Sequence, residues 1–273
     1  MKDKPDYIID VHQHLWGYQS KKYEDSDTLD KLLEYNEKNN IRESWLSCIP
    51  LDGREWNDQN TNLRIEEVFR SYPQKFRGMG FILAGYDKAD KVKELKDRGF
   101  FGLKVIFPLC SYDDPRNDEL WEAAIEQKMP VTFHTGPAML PANHALHPLH
   151  MFPDKLYRIK CYYPELIMLI AHMGNNHFAD ATALALGKNI YLDCAGGGCL
   201  KAMPASFFKH TVYWEQVKDK IAFGVDQIFS GIEDEIENTR RFAQTVELST
   251  EQKNLLWHGN AEKIISAVNG DLP

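Results

Sequence analysis

The chain has no CxxC pair, no basic run, no Ser/Gly linker and no stretch of about 18 consecutive apolar residues, and each absence removes a class of function. Its five cysteines, Cys48, Cys110, Cys161, Cys194 and Cys199, are odd in number and scattered. That pattern excludes a disulfide or Cys–zinc scaffold and suggests reduced thiols in an intracellular setting. A formal net charge of -8 with no basic patch argues against nucleic acid or an anionic membrane surface as partner, which leaves small-molecule substrates. The first strand candidate begins at Tyr7, too early for a signal peptide to precede it, so a soluble, cytoplasmic protein is expected. No composition break divides residues 1–273, so one domain is expected rather than two. A domain of that size buries roughly 75% of its unfolded surface, enough for a large core. Oligomeric state is not legible, although a barrel of this size is compatible with a homo-oligomer.

What is present is a rhythm. Eight short β-branched or aromatic runs recur: 7–12 (YIIDVH), 44–49 (SWLSCI), 76–83 (FRGMGFIL), 101–107 (FGLKVIF), 130–135 (PVTFHT), 166–172 (LIMLIAH), 189–195 (NIYLDCA) and 220–226 (KIAFGVD). Their starts lie about 30 residues apart, the length of a βα unit. The segments between them, such as DTLDKLLEYNEKNN and ADKVKELKDRG, carry helical apolar spacing. Eight strands each followed by a helix close most simply into an α/β (β/α)8 TIM barrel, with an open doubly wound sheet as the runner-up.

Active sites in such folds gather at the C-terminal ends of strands. DVHQH ends the first run, and strict alternation sets His12 and His14 on one face, where two imidazoles supply partial ligation for a divalent metal. The alternative is a surface turn with incidental histidines. His134 ends the fifth run, His172 the sixth and Asp226 the eighth. In IAFGVDQ the bulky Ile221, Phe223 and Val225 alternate with Ala222, Gly224 and Asp226, so small residues and the carboxylate face the crowded axis. Taken singly, each is as readily a bonded core histidine or a capping aspartate. Five such groups on the ends of four strands make a shared metal the simpler account, because a buried polar group without a partner costs a few kcal/mol.

The ordered set IIDVHQH, GLKVI, FHTG, YYPELIMLIAHMG, NIYLDCAG, FGVDQ and LLWHGNAEKII resembles the amidohydrolase superfamily over nearly the full length. The resemblance is to its TIM-barrel branch of metal-dependent hydrolases and decarboxylases, which includes aminocarboxymuconate semialdehyde decarboxylase and pyrone dicarboxylate lactonase. It implies one divalent metal, commonly zinc, held by His12, His14, His134 and Asp226, with His172 catalytic or substrate-orienting. The implied reaction is hydrolysis of a small-molecule ester, lactone or amide by a metal-activated water, with Asp226 moving the proton and His172 stabilising the oxyanion. The alternatives are non-oxidative decarboxylation of a carboxylated aromatic or muconate-like acid, and a non-catalytic barrel subunit. Gln227 and Ile228 depart from the aromatic and proline that usually follow the strand-eight Asp.

Lys104, inside an otherwise apolar strand, is expected to point into the barrel. It would bind a substrate carboxylate or carbonyl oxygen, bridge two metals as a carbamate, or neutralise Asp226. Asp10 is expected on the His12 face, either orienting a ligand histidine or making an ordinary buried bond. Trp16 would wall the substrate pocket or simply pack. His144, His147 and His150 lie between Pro141 and Phe152 in a segment read as a solvent-facing lid rather than a second metal site, and Cys194 and Cys199 as inert packing cysteines.

Overall fold

All eight expected strands form: β1 (Ile8–His14), β2 (Ile41–Ser47), β3 (Phe76–Ile82), β4 (Gly102–Val105), β5 (Val131–Phe133), β6 (Met168–Ile170), β7 (Ile190–Asp193) and β8 (Ile221–Ala222). The computed structural model describes residues 5–15, 28–48, 61–136, 148–196, 200, 204–226 and 231–271. Trp16, Pro141, His144, His147, Cys199, Gln227 and Ile228 lie outside them. The strands pair in sequence order, every pair parallel. The circle closes where Val11 N–H donates to Phe223 O at 2.9 Å and Asp226 N–H to His12 O at 2.8 Å. The fold is therefore the TIM barrel and not the open sheet.

The helices follow from local chemistry. Helix Leu29–Lys38 starts at Thr28, whose side chain accepts from Lys31 N–H, and buries Leu32 and Asn36 one turn apart on its inner face. Helix Ala89–Asp97 buries Val92 and Leu95. Leu95 reaches the sheet because Gly80 has no side chain, since a Cβ there would lie 2.8 Å from Leu95 Cδ1. This sheath between sheet and helices forms one apolar cluster; Ile9, Val11, Trp45, Met79, Phe101, Leu169 and Ala222 belong to a second. Members drawn from strands as far apart as β2, β6 and β8 meet only across the axis, so the barrel is filled beneath the site. Among the described residues no helix is long and apolar enough to cross a membrane.

The register of β1 with β2 shifts twice, between Ile8 and Ile9 and again between Asp10 and Gln13, and the second shift re-aims a site residue. Between the pairs Asp10–Ser44 and Gln13–Leu46, β1 advances three residues while β2 advances two, a β-bulge. Asp10 consequently takes the face of Ser44, whose hydroxyl accepts from Asn36 of the first helix, while His14 pairs with Ser47. The expected sharing of a face by Asp10 and His12 is thus corrected. Asp10 Oδ1 instead accepts the backbone N–H groups of His12 at 3.0 Å and Val225 at 3.1 Å, pinning the barrel seam. Burial pushes its carboxyl well above the usual range despite these two donors.

The small-residue parity of strand eight holds. A Cβ on Gly224 would come within 2.9 Å of both Ala195 Cβ and His12 Cβ. Gly224→Ala is therefore expected to overpack the wall behind His12 and to cost about 1–3 kcal/mol, read as a lower urea midpoint at unchanged m-value. An unchanged midpoint would mean that His12 has room to retreat.

Candidate metal centre

The side chains of His12, His14, His134, His172 and Asp226 meet at the C-terminal end of the barrel. His12, His172 and Asp226 each offer a ligand atom within 4.8 Å of the others. It is the one such group among the described residues. His14 joins through its Nε2, 3.1 Å from Asp226 Oδ1, and His134 through its Nδ1, 3.1 Å from His172 Nε2.

The ladder stops short of every one of these groups except those of β1. His134 follows the last residue of β5, while His172 and Asp226 sit beyond β6 and β8 in the left-handed region, at φ 58° and φ 46°. Left-handed backbone at non-glycine positions costs of order 1–3 kcal/mol each and persists where the surroundings demand it. Here it turns both side chains over the barrel mouth. Gly196, at φ +86°, makes room, since a Cβ there would stand 2.7 Å from His172 Nδ1 and 3.3 Å from Asp226 Oδ2.

Three of the four imidazoles are oriented through Nδ1. His12 Nδ1 lies 3.1 Å from Asp193 Oδ2; His14 Nδ1 lies 3.1 Å from Ser47 O and 2.9 Å from Ser47 Oγ; His172 Nδ1 lies 3.0 Å from Ala195 O. A carboxylate or carbonyl oxygen can only accept, so His12 and His172 carry their proton on Nδ1 and turn the Nε2 lone pair inward, whereas the Ser47 hydroxyl can donate to His14 Nδ1 and leave that ring's Nε2–H for Asp226. His134 differs. Its carbonyl accepts from the buried Tyr112 hydroxyl at 2.9 Å, and its Nε2 is buried with no hydrogen-bond partner.

Charge supports the same picture. Burial, reinforced by Lys104 and only partly opposed by Asp193 and Asp226, pulls His12 down to about 4. Burial, His172 and Lys104 hold His134 well below the usual imidazole value. Both rings are neutral donors at pH 7. Burial alone would raise the Asp226 carboxyl, but His12, His14 and His172 hold it well below the ordinary range, so it is ionised. Lys104 is 1% exposed, and its Nζ stands 2.5 Å from His12 Nε2. Burial lowers its ammonium to about 8 against the pull of Asp226 and Asp193.

All five strand-end groups of the sequence reading are brought together, with Lys104 beneath them. Asp193 was missed, although it ends β7 as the others end theirs, and the alternation of IYLD turns it inward. The rule that identified His134 and Asp226 would have found it. Ser47, at the end of β2, carries no comparable sequence signal.

The amidohydrolase family model matches residues 9–266. No curated protein matches the chain. Among solved structures, an uncharacterized TIM-barrel protein from Bordetella bronchiseptica is 17% identical, with a TM-score of 0.73 over 96% of this chain and 99% of that one. The 2,6-dihydroxybenzoate decarboxylase from Rhizobium is 15% identical, with a TM-score of 0.68 over 97% of this chain and 99% of its own. The 5-carboxyvanillate decarboxylase from Novosphingobium aromaticivorans, complexed with manganese and 4-hydroxy-3-methoxy-5-nitrobenzoic acid, is 17% identical, with a TM-score of 0.65 over 95% and 96% of the two chains.

Proposed function

We propose, on the premise that this chain belongs to the amidohydrolase family, that it is a divalent-metal-dependent enzyme that decarboxylates a carboxylated aromatic or muconate-like acid without oxidation. The observation that carries this reading is the buried Lys104 ammonium beside the histidine and aspartate cluster, a cation placed to receive an anionic substrate. The shared fold of two decarboxylases of hydroxylated benzoates adds support.

The residues fit a metal. The ring nitrogens, the ionised Asp226 and the buried, partnerless His134 Nε2 form a nitrogen-rich set suited to zinc, with the Asp226 carboxylate the one donor that also suits manganese. His12, His14, His134 and Asp226 would hold the ion. When bound it supplies Lewis-acid charge that anchors an anionic substrate oxygen. Lys104 binds the substrate's carboxylate or a neighbouring oxygen. His172, having first taken up a proton from solvent at Nε2, delivers it to the ring carbon, the bond from that carbon to the carboxylate breaks, its electron pair restores the ring, and carbon dioxide leaves. His172 is then reprotonated from solvent.

A specific observation favours hydrolysis as the second reading: Asp226 is ionised and its side chain is 17% exposed, a base open to the pocket. There Asp226 takes a proton from the attacking water and passes it to the leaving ester, lactone or amide group.

Protein loaded with manganese or zinc and offered 2,6-dihydroxybenzoate, 5-carboxyvanillate and related acids is expected to release carbon dioxide from at least one of them and to stop on chelation. Turnover confined to esters or lactones would select the second reading. Saturating metal, at about 100 times its Kd, is expected to raise unfolding free energy by about 2.7 kcal/mol.

A further inference from the structure

We propose that Asp193 is the positioning residue of this site, one carboxylate that sets both the tautomer of His12 and the left-handed turn carrying His172. It is 0% exposed on the last position of β7, and both of its oxygens are used. Oδ2 faces His12 Nδ1 at 3.1 Å. Oδ1 accepts from His172 N–H at 2.9 Å and from Ala195 N–H at 3.1 Å.

The two oxygens serve two strands on either side of the site. An ionised carboxylate only accepts, so the proton shared with His12 resides on Nδ1, and the His12 Nε2 lone pair is committed inward, where Lys104 Nζ meets it. The N–H of His172 reaches Oδ1 at the residue where the backbone turns left-handed, at φ 58° and ψ 27°. The next turn of the same chain finishes the task, because Ala195 O receives His172 Nδ1–H at 3.0 Å and Gly196 leaves space for the ring. The end of β7 is thus the template for β1 and β6, and Asp193 touches neither substrate nor reacting atoms.

The inference makes an asymmetric prediction for Asp193→Asn. The amide has one oxygen, and two backbone N–H groups already hold Oδ1 in place. Its NH2 group must then face His12 Nδ1, which can accept only if the ring moves its proton to Nε2. An Nε2–H ring cannot ligate through that nitrogen and clashes with the Lys104 donor. Loss of such an orienting partner typically lowers metal affinity about 10–100-fold.

The test is a long-range proton–nitrogen spectrum of the imidazoles in metal-free, ¹⁵N-labelled protein, with His12 assigned by the signals lost in His12→Gln, beside zinc affinity by chelator competition. Wild type is expected to show His12 as Nδ1–H. Asp193→Asn is expected to show Nε2–H, nearly unmoved backbone amides at His172 and Ala195, and zinc affinity lower by about 10–100-fold. Nδ1–H retained in the variant, or zinc affinity within about twofold of wild type, overturns the proposal. The affinity readout alone rests on the metal reading and counts only where wild type binds zinc: Nδ1–H in wild type and Nε2–H in the variant, with neither protein binding zinc, supports the clamp and removes the metal. Should the variant fail to fold, the wild-type spectrum decides, since Nε2–H there is incompatible with a clamp by Asp193.

Discussion

His14→Ala is expected to strip the metal and the turnover together while leaving the barrel folded. The ring's Nδ1 is held by Ser47 and its Nε2 faces Asp226 Oδ1, so the substitution removes one inward donor and leaves a neutral serine behind. Elemental analysis after dialysis checks it, with far-UV circular dichroism as the control. A fold of this size is held by its two apolar clusters rather than by an ion. His12→Ala should lose metal equally but also destabilise, because Asp193 Oδ2 is left buried without its donor, a penalty of about 1–3 kcal/mol or more for a charged group. The pair His134→Ala and His172→Ala completes the series. Metal loss is expected only in the first, whose Nε2 is the buried orphan. The opposite result would move the ligand from β5 to β6, in keeping with the His12, His172 and Asp226 trio.

His172→Asn is expected to keep its metal and lose turnover by about 10²- to 10⁴-fold, the range for removal of a general acid. The side chain sits on a turn fixed through its backbone by Asp193, so loss of the ring need not disturb the ligands on β1, β5 and β8. Asp226→Asn should behave differently. Its amide oxygen still touches an ion, and excess manganese should restore much of the activity if decarboxylation runs through His172. If Asp226→Asn instead stays about 10²- to 10⁴-fold down at saturating metal while His172→Asn falls little, Asp226 is the base and the hydrolytic reading wins.

The strand-end rule read the site well where the strand was strongly apolar and ended in a histidine. His134 and His172 are cases, each one or two residues beyond the last paired residue. It read Asp10 wrongly because alternation assumes an unbroken ladder, and the bulge between Asp10 and Gln13 inserts one residue that no local pattern announces. It also placed seven residues in strand eight, whereas only Ile221–Ala222 form the ladder. The rest of that segment bonds to β1 and bends, with Asp226 at φ 46°, to bring its carboxylate over the mouth. Lys104 was legible as inward-facing, since an ammonium among apolar residues has nowhere else to go. Its partner was not, because His12 lies 92 residues away.

The order of strands, their spacing, the inward parity of Gly224 and Asp226 and the identity of the five gathered groups follow from the sequence, because apolar periodicity and strand-end position are local properties of the chain. Tertiary structure alone decided how those groups are held. Ring tautomers depend on oxygens supplied by other strands, Asp193 for His12, Ser47 for His14 and Ala195 for His172, and no spacing along one chain segment records which carbonyl or carboxylate closure of the barrel will bring within 3.1 Å.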